Sequence, residues 1–276
     1  MVDERDAALT NYKPRMAEAC SEDFFMVGGG AVFDDTGVED RLRCLLPDIP
    51  GFVVTPQARG VDLVVQPLPN SNTVVLTGTF NWLGEPENLA KLSQGLRNAA
   101  SPLEWVRADA NHYDQTLIEV GGDAVDNVYI HSAFYPFEEA ADNPATQEYL
   151  DAFAEYTPDG KDRAYLGLQA WSAWLLFAQS ARDCGSDLTR KCVYDNAKSV
   201  HEWTGGGLHV ATDPGTNTPS GCFTVMQATP DGFIRPDIDA NDGIYRCDDA
   251  GLYELEGDYG EGATLADVGL SEADLR

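Results

Sequence analysis

Short apolar runs alternate with helix-patterned segments over the first half of the chain, and this alternation limits the fold more than any other feature. Strands that alternate with helices form parallel sheets covered by helices on both faces. The sequence therefore predicts an α/β fold. The predicted strands are Phe24–Val27, Phe52–Thr55, Val74–Thr77, Trp105–Ala108 and Val128–Ser132, and the predicted helices between them are Thr36–Leu45, Pro86–Ala99 and Asp114–Val120.

The pattern changes to consecutive helices after residue 142. Asn143 followed by Pro144 is typical of a helix start. The second of these helices is apolar nearly all round, which indicates a helix buried inside the protein. The predicted helices are Ala145–Tyr156, Ala164–Ala181 and Leu188–Trp203, and a β segment, Cys222–Ala228, follows them.

The stretch Phe24–Gly37, FFMVGGGAVFDDTG, has the order of a phosphate-binding loop, with an apolar run, glycines and a helix start. It lacks both the Gly-Lys-Ser/Thr ending of a P-loop and the G-x-G-x-x-G spacing of a dinucleotide site. Asp34 and Asp35 would also repel a polyanion. A glycine turn with Asp34 or Asp35 as helix N-cap explains most of the motif. The loop remains suited to a small ligand with one carboxylate.

The charge of the chain excludes some partners. With 46 acidic and 18 basic residues the formal net charge is −28, whereas nucleic acids and anionic membranes require a basic face. No run of 18 apolar residues is present, so no transmembrane segment is predicted. The start, MVDERDAALT, lacks the features of a signal peptide.

The six cysteines indicate disulfides. They allow 15 connectivities, of which Cys20–Cys44, Cys184–Cys192 and Cys222–Cys247 join sequence neighbours and need no long-range assumption. Such bridges imply an oxidising compartment, so we expect an exported protein whose leader, and any lipid anchor, are absent from this chain. Six reduced, buried thiols are the alternative.

Motifs for catalysis are missing. The sequence has no G-x-S-x-G elbow and no H-E-x-x-H pair, and its four histidines are scattered. Residues 237–248 imitate a calcium loop, but the glycine falls one position late and Asp248 replaces the final glutamate, so an acidic turn is the better interpretation. We predict no enzyme, no metal and no cofactor. A secreted hydrolase that uses Asp109 and Glu85 as an acid/base pair is an alternative.

Binding residues are expected directly after the predicted strands, because ligands of open α/β sheets lie at the carboxyl ends of strands. These positions hold amides, hydroxyls, aromatic rings and two carboxylates. Such a set suits a zwitterion, with N–H donors for a carboxylate and an acid with π faces for an ammonium. The candidate ligand-binding residues at these positions are Ala31, Phe33, Gln57, Arg59, Trp82, Glu85, Asp109, Asn111, Tyr113, Phe134 and Tyr135.

Several stretches resemble solute-binding proteins of branched-chain amino-acid ABC importers, notably actinobacterial members. They are EACSEDFFMVGGGAVFDDTG, IPGFVVTPQA, GEPENLAKL, EWVRADANHYDQTLIEVGGDAV, FYPFEEAADNPATQEYLDAF and AYLGLQAWSAWLLFAQSA. The resemblance implies the type I periplasmic binding fold, in which two Rossmann-like lobes joined by a three-strand hinge close on a ligand. It implies a first lobe of residues 1–70 and 134–215, a second lobe of residues 71–133 and 216–235, and an acidic C-terminal tail of residues 236–276.

The resemblance also assigns roles to site residues. Gly30, Ala31 and Phe33 correspond to the first-lobe loop that meets the ligand carboxylate, and Thr55 to Arg59 correspond to the second loop. The aromatic and acidic groups near the ligand ammonium fall in Trp82–Glu85 and Asp109–Tyr113. Cys20–Cys44 matches a first-lobe disulfide of the family.

Two departures from the family pattern bear on function. Ala31, Val32 and Phe33 stand where the first loop usually has a serine or threonine. At least one βαβ unit is missing between Asn72 and Thr73, so the fold is expected to be shortened.

The resemblance implies an extracytoplasmic, monomeric solute-binding protein of an ABC importer. It would capture a small amino acid or related carboxylate and deliver it to a membrane permease. A ligand-sensing receptor domain and a non-binding, truncated fragment of the same fold are the alternatives.

Overall fold

The computed structural model describes residues 12–31, 33–76, 106–108, 110–121, 126, 128–158, 163–257 and 260–276. The α-helices in these ranges are α1 Tyr12–Glu22, α2 Val38–Arg43, α3 Gln115–Gly121, α4 Pro144–Tyr156, α5 Tyr165–Cys184 and α6 Arg190–Lys198. The strands are β1 Met26–Val27, β2 Asp48–Ile49, β3 Val74–Leu76, β4 Val106–Ala108, β5 Val128–Ser132, β6 Cys222–Thr229, β7 Gly232–Ile234, β8 Arg246–Cys247 and β9 Leu252–Glu254. The predicted helix Pro86–Ala99 lies outside the described residues.

The described strands form three sheets, of which the largest contains both parallel and antiparallel pairs. In the largest sheet β4 pairs in parallel with β5, β5 pairs antiparallel with β6, and β6 pairs antiparallel with β7 and β8. β1 and β2 form a short parallel pair, and β3 pairs antiparallel with β9. The parallel pairs agree with the predicted α/β alternation, whereas each antiparallel pair contains a strand that follows the helical segment, where that alternation has ended.

Two predicted elements are wrong in position. The structure has no strand at Phe52–Thr55, because this segment is held by the Asp34 side chain, and the strand that pairs with β1 is β2. The predicted helix Leu188–Trp203 is shorter than expected. It starts at a Thr189 cap and ends at Lys198, and Trp203 instead pairs with Thr212 through two backbone hydrogen bonds.

The buried apolar residues form two clusters. The first core is built from β2, α2, the segment 53–65, the second half of α5, α6 and the final residues, with Leu42, Ile49, Leu63, Leu176 and Leu265 among its members. The second core is built from β5, β6, α4 and the start of α5, with Ile130, Phe134, Tyr149, Leu168 and Met226 among its members.

Helix α5 connects these two cores. Leu168 packs in the second core, and Ala173 and Leu176 pack in the first, so one rigid element of 20 residues spans both. Burial is not complete around this helix, because Trp174 is 49% exposed. The predicted buried helix is therefore present, but with one face partly open to solvent.

The two cores overlap the predicted lobes without following them residue by residue. Tyr149 and Leu168 were assigned to the first lobe and lie in the second core. Leu265 and Leu275 were assigned to an acidic tail and are buried in the first core. The lobe boundaries stay a prediction.

All three predicted disulfides are confirmed: Cys20–Cys44, Cys184–Cys192 and Cys222–Cys247. Cys184–Cys192 joins the end of α5 to the first turn of α6, and Cys222–Cys247 joins β6 to β8. No helix in the described part of the chain is long and apolar enough to cross a membrane.

Candidate functional site

The glycine loop after β1 packs backbone against backbone. Gly28 donates its N–H to Ile49 O at 2.8 Å, and Gly51 donates to Gly29 O at 2.8 Å. Gly28 has φ +72°, and a Cβ at Gly30 would overlap the Phe52 ring. Gly28 and Gly30 are therefore needed for the backbone conformation and the close approach of the two loops, and no phosphate is required to explain them.

Asp34 holds the second loop in place. Its carboxylate is buried and accepts hydrogen bonds from Val54 N at 2.8 Å, Thr55 N at 3.0 Å and Thr55 Oγ1 at 2.5 Å. A short 3-10 helix, Asp34–Gly37, precedes α2. The prediction that Asp34 or Asp35 caps the following helix is wrong, because no side chain caps the start of either helix.

A cavity of about 530 Å³ lies between the two cores. This volume falls within the range of small-molecule sites. The walls come from the loop after β2, the segment 68–74, the carboxyl end of β5, the start of α5 and the start of β6. Its lining residues include Phe52, Val53, Arg59, Leu68, Asn70, Ala110, His131, Ala133, Tyr165, Gln169, Thr212 and Phe223.

Arg59 brings a positive charge to this cavity. Its Nε is buried and has no hydrogen-bond partner among the described residues, and the guanidinium makes no ion pair with any of them. The side chain as a whole is half-buried, so burial leaves one N–H donor, at Nε, without an acceptor, which costs free energy. An anion in the cavity would supply the missing partner, and a carboxylate matches the guanidinium fork in shape.

Gln169 adds an unmatched acceptor to the same cavity. It lies on α5, and its Oε1 is buried without a hydrogen-bond partner in the described structure. A buried carbonyl oxygen of this kind needs a donor to offset its desolvation. The cavity therefore offers a donor group at Arg59, an acceptor at Gln169 and mainly apolar walls.

Three predicted strand-end segments contribute described residues to the cavity: Arg59, Ala110 and Ala133. Of the predicted ligand residues that the structure describes, only Arg59 lines it. Gly30 and Ala31 instead line a separate cavity of about 40 Å³ beside Asp34, Arg41 and Asp48.

The remaining candidates from the two loops of the predicted first lobe do not line the large cavity. Phe33 is 55% exposed, Thr55 binds Asp34, and the exposed Gln57 accepts a hydrogen bond from Ala263 N at 3.1 Å through its carbonyl. Their proposed contact with a ligand stays a prediction.

The candidates that follow residue 80 in the sequence are distributed differently. Phe134 is fully buried in the second core, and the half-buried Tyr135 donates its N–H to Leu208 O. Tyr113 is buried, donates to Glu138 and accepts from Phe137 N at 2.8 Å, and burial raises its pKa. Asn111 lies in the 3-10 turn Ala110–His112. Trp82, Glu85 and Asp109 lie outside the described residues.

A buried polar chain connects α5 to the segment beside the cavity. Trp203 Nε1 donates to Ser172 Oγ at 2.9 Å, and Ser172 Oγ lies 2.8 Å from His209 Nε2. His209 Nδ1 lies 2.6 Å from Val210 O, so Nδ1 carries the proton and Nε2 accepts from Ser172. Burial lowers the pKa of His209 to about 4, and the ring is neutral at pH 7. These hydrogen bonds hold Val210 and Thr212, which line the cavity, in position.

Sequence reasoning missed Gln169. A signal was present, because Gln169 is a polar residue in the first turns of an otherwise apolar helix. The cavity at this end of α5 gives its polarity an explanation. No cluster of residues suited to a metal ion was found in the described part of the chain.

Comparison with known proteins identifies the class. In solved structures, the chain resembles the leucine-binding protein LivK from Thermotoga maritima (TM-score 0.57, 14% identity, covering 82% of this chain and 84% of that one). It also resembles the substrate-binding protein LivJ from Streptococcus pneumoniae in complex with isoleucine (0.55, 12%, 81% and 83%). A third match is an extracellular ligand-binding receptor from Rhodopseudomonas palustris (0.58, 8%, 81% and 85%). These matches confirm the type I periplasmic binding fold, shortened because part of each relative has no counterpart here.

A family profile described as "Periplasmic binding protein" matches residues 86–232, just over half of the chain. The chain therefore belongs to the periplasmic binding protein family, a family of solute-binding proteins. A comparison with curated protein sequences gave no match. The prediction of an actinobacterial type is not tested by these comparisons.

Proposed function

We propose that this protein is an extracytoplasmic solute-binding protein of an ABC importer that captures a small amino acid or related carboxylate between its two cores. The observation that carries the proposal is the cavity of about 530 Å³ in which the Arg59 Nε is buried without a described partner. The relatives support the class of ligand, since one is named for leucine binding and another contains isoleucine.

The proposed mechanism is closure of the two halves on the ligand. Val53 belongs to the first core and Ala110 and Tyr165 to the second, and all three line the cavity. A ligand that contacts both sides stabilises the closed arrangement, because only that arrangement gains both sets of contacts. Arg59 would bind the carboxylate, and Phe52, Leu68 and Phe223 would contact the apolar part.

Thermal unfolding with a panel of amino acids and small carboxylates tests the proposal. A ligand at a hundred times its dissociation constant adds about 2.7 kcal/mol to the free energy of unfolding. For a chain of this size, the expected rise in midpoint is on the order of 5 °C. A cooperatively unfolding sample whose midpoint is unchanged by every member would contradict the proposal and favour the non-binding fragment.

The sensor alternative uses the same cavity and differs in its partner. We expect the protein to support ligand uptake when it is reconstituted with its permease in membrane vesicles. Ligand binding without stimulation of any permease would favour the receptor interpretation.

A further inference from the structure

The end of the chain contacts three walls of the large cavity. The C-terminal segment is described over residues 246–257 and 260–276, and none of these residues lines the cavity. Three wall segments that do line it, residues 52–59, 68–74 and 219–223, are each in contact with this segment.

The first contact is with the wall at the start of β6. Strand β8 pairs with β6, and the disulfide Cys222–Cys247 connects the two strands. Cys222 and its neighbour Phe223 line the cavity. A wall built on a strand of the second core is therefore attached covalently to the C-terminal segment.

The second contact is with the wall formed by residues 68–74. Strand β3 begins in this wall and pairs antiparallel with β9. Leu255 donates its N–H to Thr73 O at 2.7 Å, which extends the pairing by one residue. Val74, the first residue of β3, lines the cavity. The pairing therefore holds the end of this wall against the C-terminal segment.

The side chain of Asn72 joins two walls to the C-terminal segment. Its Nδ2 donates to Pro56 O at 2.7 Å and to Gly260 O at 3.2 Å. Pro56 lies in the wall formed by residues 52–59, and Asn72 itself lies in the wall formed by residues 68–74. One amide group therefore holds two walls and the C-terminal segment together.

The third contact is made beside Arg59. A Cβ at Gly262 would lie 2.6 Å from Arg59 O, so the two backbones are closely packed. Ala263 donates its N–H to Gln57 O at 3.1 Å, and its carbonyl accepts from Asp62 N at 3.1 Å. These contacts hold the backbone on both sides of Arg59, whose side chain lines the cavity.

The walls depend on such contacts because they have little secondary structure of their own. Between β2 and β3 the described residues form turns, bends and an isolated bridge at Val64, with no helix or strand. A loop that is already held in its binding conformation loses less conformational entropy when a ligand binds. Contacts that hold the walls therefore contribute to affinity without touching the ligand.

We infer that the C-terminal segment positions the cavity walls for ligand binding, so that packing of this segment and binding of a ligand favour each other. Gly262 and Asn72 are positioning residues, because they contact wall segments and do not line the cavity. By linkage, a ligand that requires ordered walls also stabilises the contacts of the C-terminal segment. This inference rests on the proposed function and adds a control of affinity at the same site.

Amide hydrogen exchange of the wild-type protein tests the linkage. Isothermal titration first ranks leucine, isoleucine, valine, glutamate and isocaproate, and exchange is then followed with and without the compound that binds most tightly. We expect this probe to slow exchange at Leu255 and Ala263, whose N–H groups bond to the walls. The amides of α6, which contributes no residue to the lining, are the control and should slow less.

The substitution Gly262→Ala separates positioning from general stability. The added methyl group must displace the backbone at Arg59. We expect binding of the same probe to weaken about tenfold, as is usual for coupling between two sites. Asn72→Ala removes both hydrogen bonds of the side chain and should weaken binding in the same direction.

Glu272→Gln is the matched control in the same segment. It removes an exposed ion pair with Lys198 and leaves the wall contacts in place. We expect this variant to bind the probe as tightly as the wild type, when all titrations are made well below the unfolding midpoints.

The outcomes separate the inference from the proposed function. No binding by any of the five compounds overturns both. Binding that Gly262→Ala leaves unchanged overturns the inference alone. Exchange in α6 that slows as much as at Leu255 does the same, because the probe then stabilises the whole fold uniformly. If Gly262→Ala does not fold, the exchange measurement on the wild type decides.

Discussion

At the residue scale, Asp34 links the two loops that follow β1 and β2. Its carboxylate satisfies two backbone N–H groups and one hydroxyl of the segment 54–55, from a position 20 residues earlier. Arg59 lies four residues beyond this anchor. The position of the candidate ligand-binding arginine therefore depends on a carboxylate that does not line its cavity.

We expect Asp34→Ala to lower the free energy of unfolding by about 2–3 kcal/mol, because buried donors are left without an acceptor. Chemical denaturation measures the effect. Asp35→Ala is the control at the neighbouring position. Because Asp35 is exposed, this substitution should change the free energy of unfolding by less than about 0.5 kcal/mol. Equal effects of the two substitutions would contradict the anchoring role.

Two buried groups give opposite pH dependences. Burial lowers the pKa of His209 from 6.5 to about 4, so protonation favours the unfolded chain and the stability it contributes is lost as the pH falls from 6.5 to 4. Burial raises the pKa of Asp48 from 3.8 to about 7, despite the nearby Arg41. Its contribution is present at low pH and is lost as the pH rises from about 4 to 7.

Single substitutions should reveal these opposing contributions. When the pH falls from 7 to 4, His209 lowers the free energy of unfolding of the wild type by about 3 kcal/mol, at 1.36 kcal/mol per pKa unit, and we expect His209→Gln to escape this loss. Protonation of Asp48 stabilises the wild type over the same fall in pH, and we expect Asp48→Asn to lack this gain. Denaturation curves at half-unit pH steps measure both, and parallel profiles for the two variants and the wild type would refute the assignment.

Residue-level features were predictable where local chemistry decides them. Asn143 caps α4 by accepting from Thr146 N at 2.9 Å, as the Asn-Pro pair predicts. The partners of Asp34 were not predictable. A carboxylate at a helix start can accept hydrogen bonds either from the backbone N–H groups of its own helix or from a segment distant in sequence, and the second case depends on how the loop after β2 folds.

At the element scale, each of the three disulfides joins elements that are close in sequence, whereas helix α5 packs in both cores. Neighbouring cysteines were sufficient to predict the pairing, since each bridge joins elements that are close in sequence. Helix ends were less predictable. The sequence Ser199–Trp203 continues a plausible helix, but the tertiary pairing of Trp203 with Thr212 competes for the same backbone groups.

Loop length predicts the relative contribution of two bridges. Cys184–Cys192 spans 8 residues and Cys222–Cys247 spans 25. The loop-entropy relation gives about 2.5 kcal/mol for the first and about 3.5 kcal/mol for the second. Double alanine variants of each pair should lower the free energy of unfolding in that order, and denaturation of both under identical conditions measures it. The reverse order would show that the loop-entropy relation does not govern these two bridges.

At the scale of the whole molecule, a formal net charge of −28 opposes folding through self-repulsion. Raising sodium chloride from about 0.05 M to 1 M shortens the screening length to about 3 Å. We expect the unfolding midpoint to rise over this range at pH 7. The rise should be smaller near pH 4, where many carboxylates are protonated, and a midpoint that falls with salt at pH 7 would contradict the expectation.

The α/β fold class was predictable from the alternation of elements, whereas the two-lobed fold was implied by the resemblance to binding proteins of ABC importers. The composition of the site was less predictable. Arg59 was among the predicted residues, but Phe134 and Tyr113 are packed in the second core, and the walls also use residues from α5 and β6. Which side of a loop faces the cavity is decided by packing between distant segments, which spacing alone does not encode.

The pairing of β3 with β9 has a consequence for the order of events during synthesis. Val74–Leu76 pairs with Leu252–Glu254, and Leu265 and Leu275 complete a core that begins with Val38 and Leu42. More than 200 residues must leave the ribosome before that core is whole. The early segments therefore emerge with their apolar faces uncovered, and a chaperone that binds such segments has the duration of nearly the whole translation in which to act.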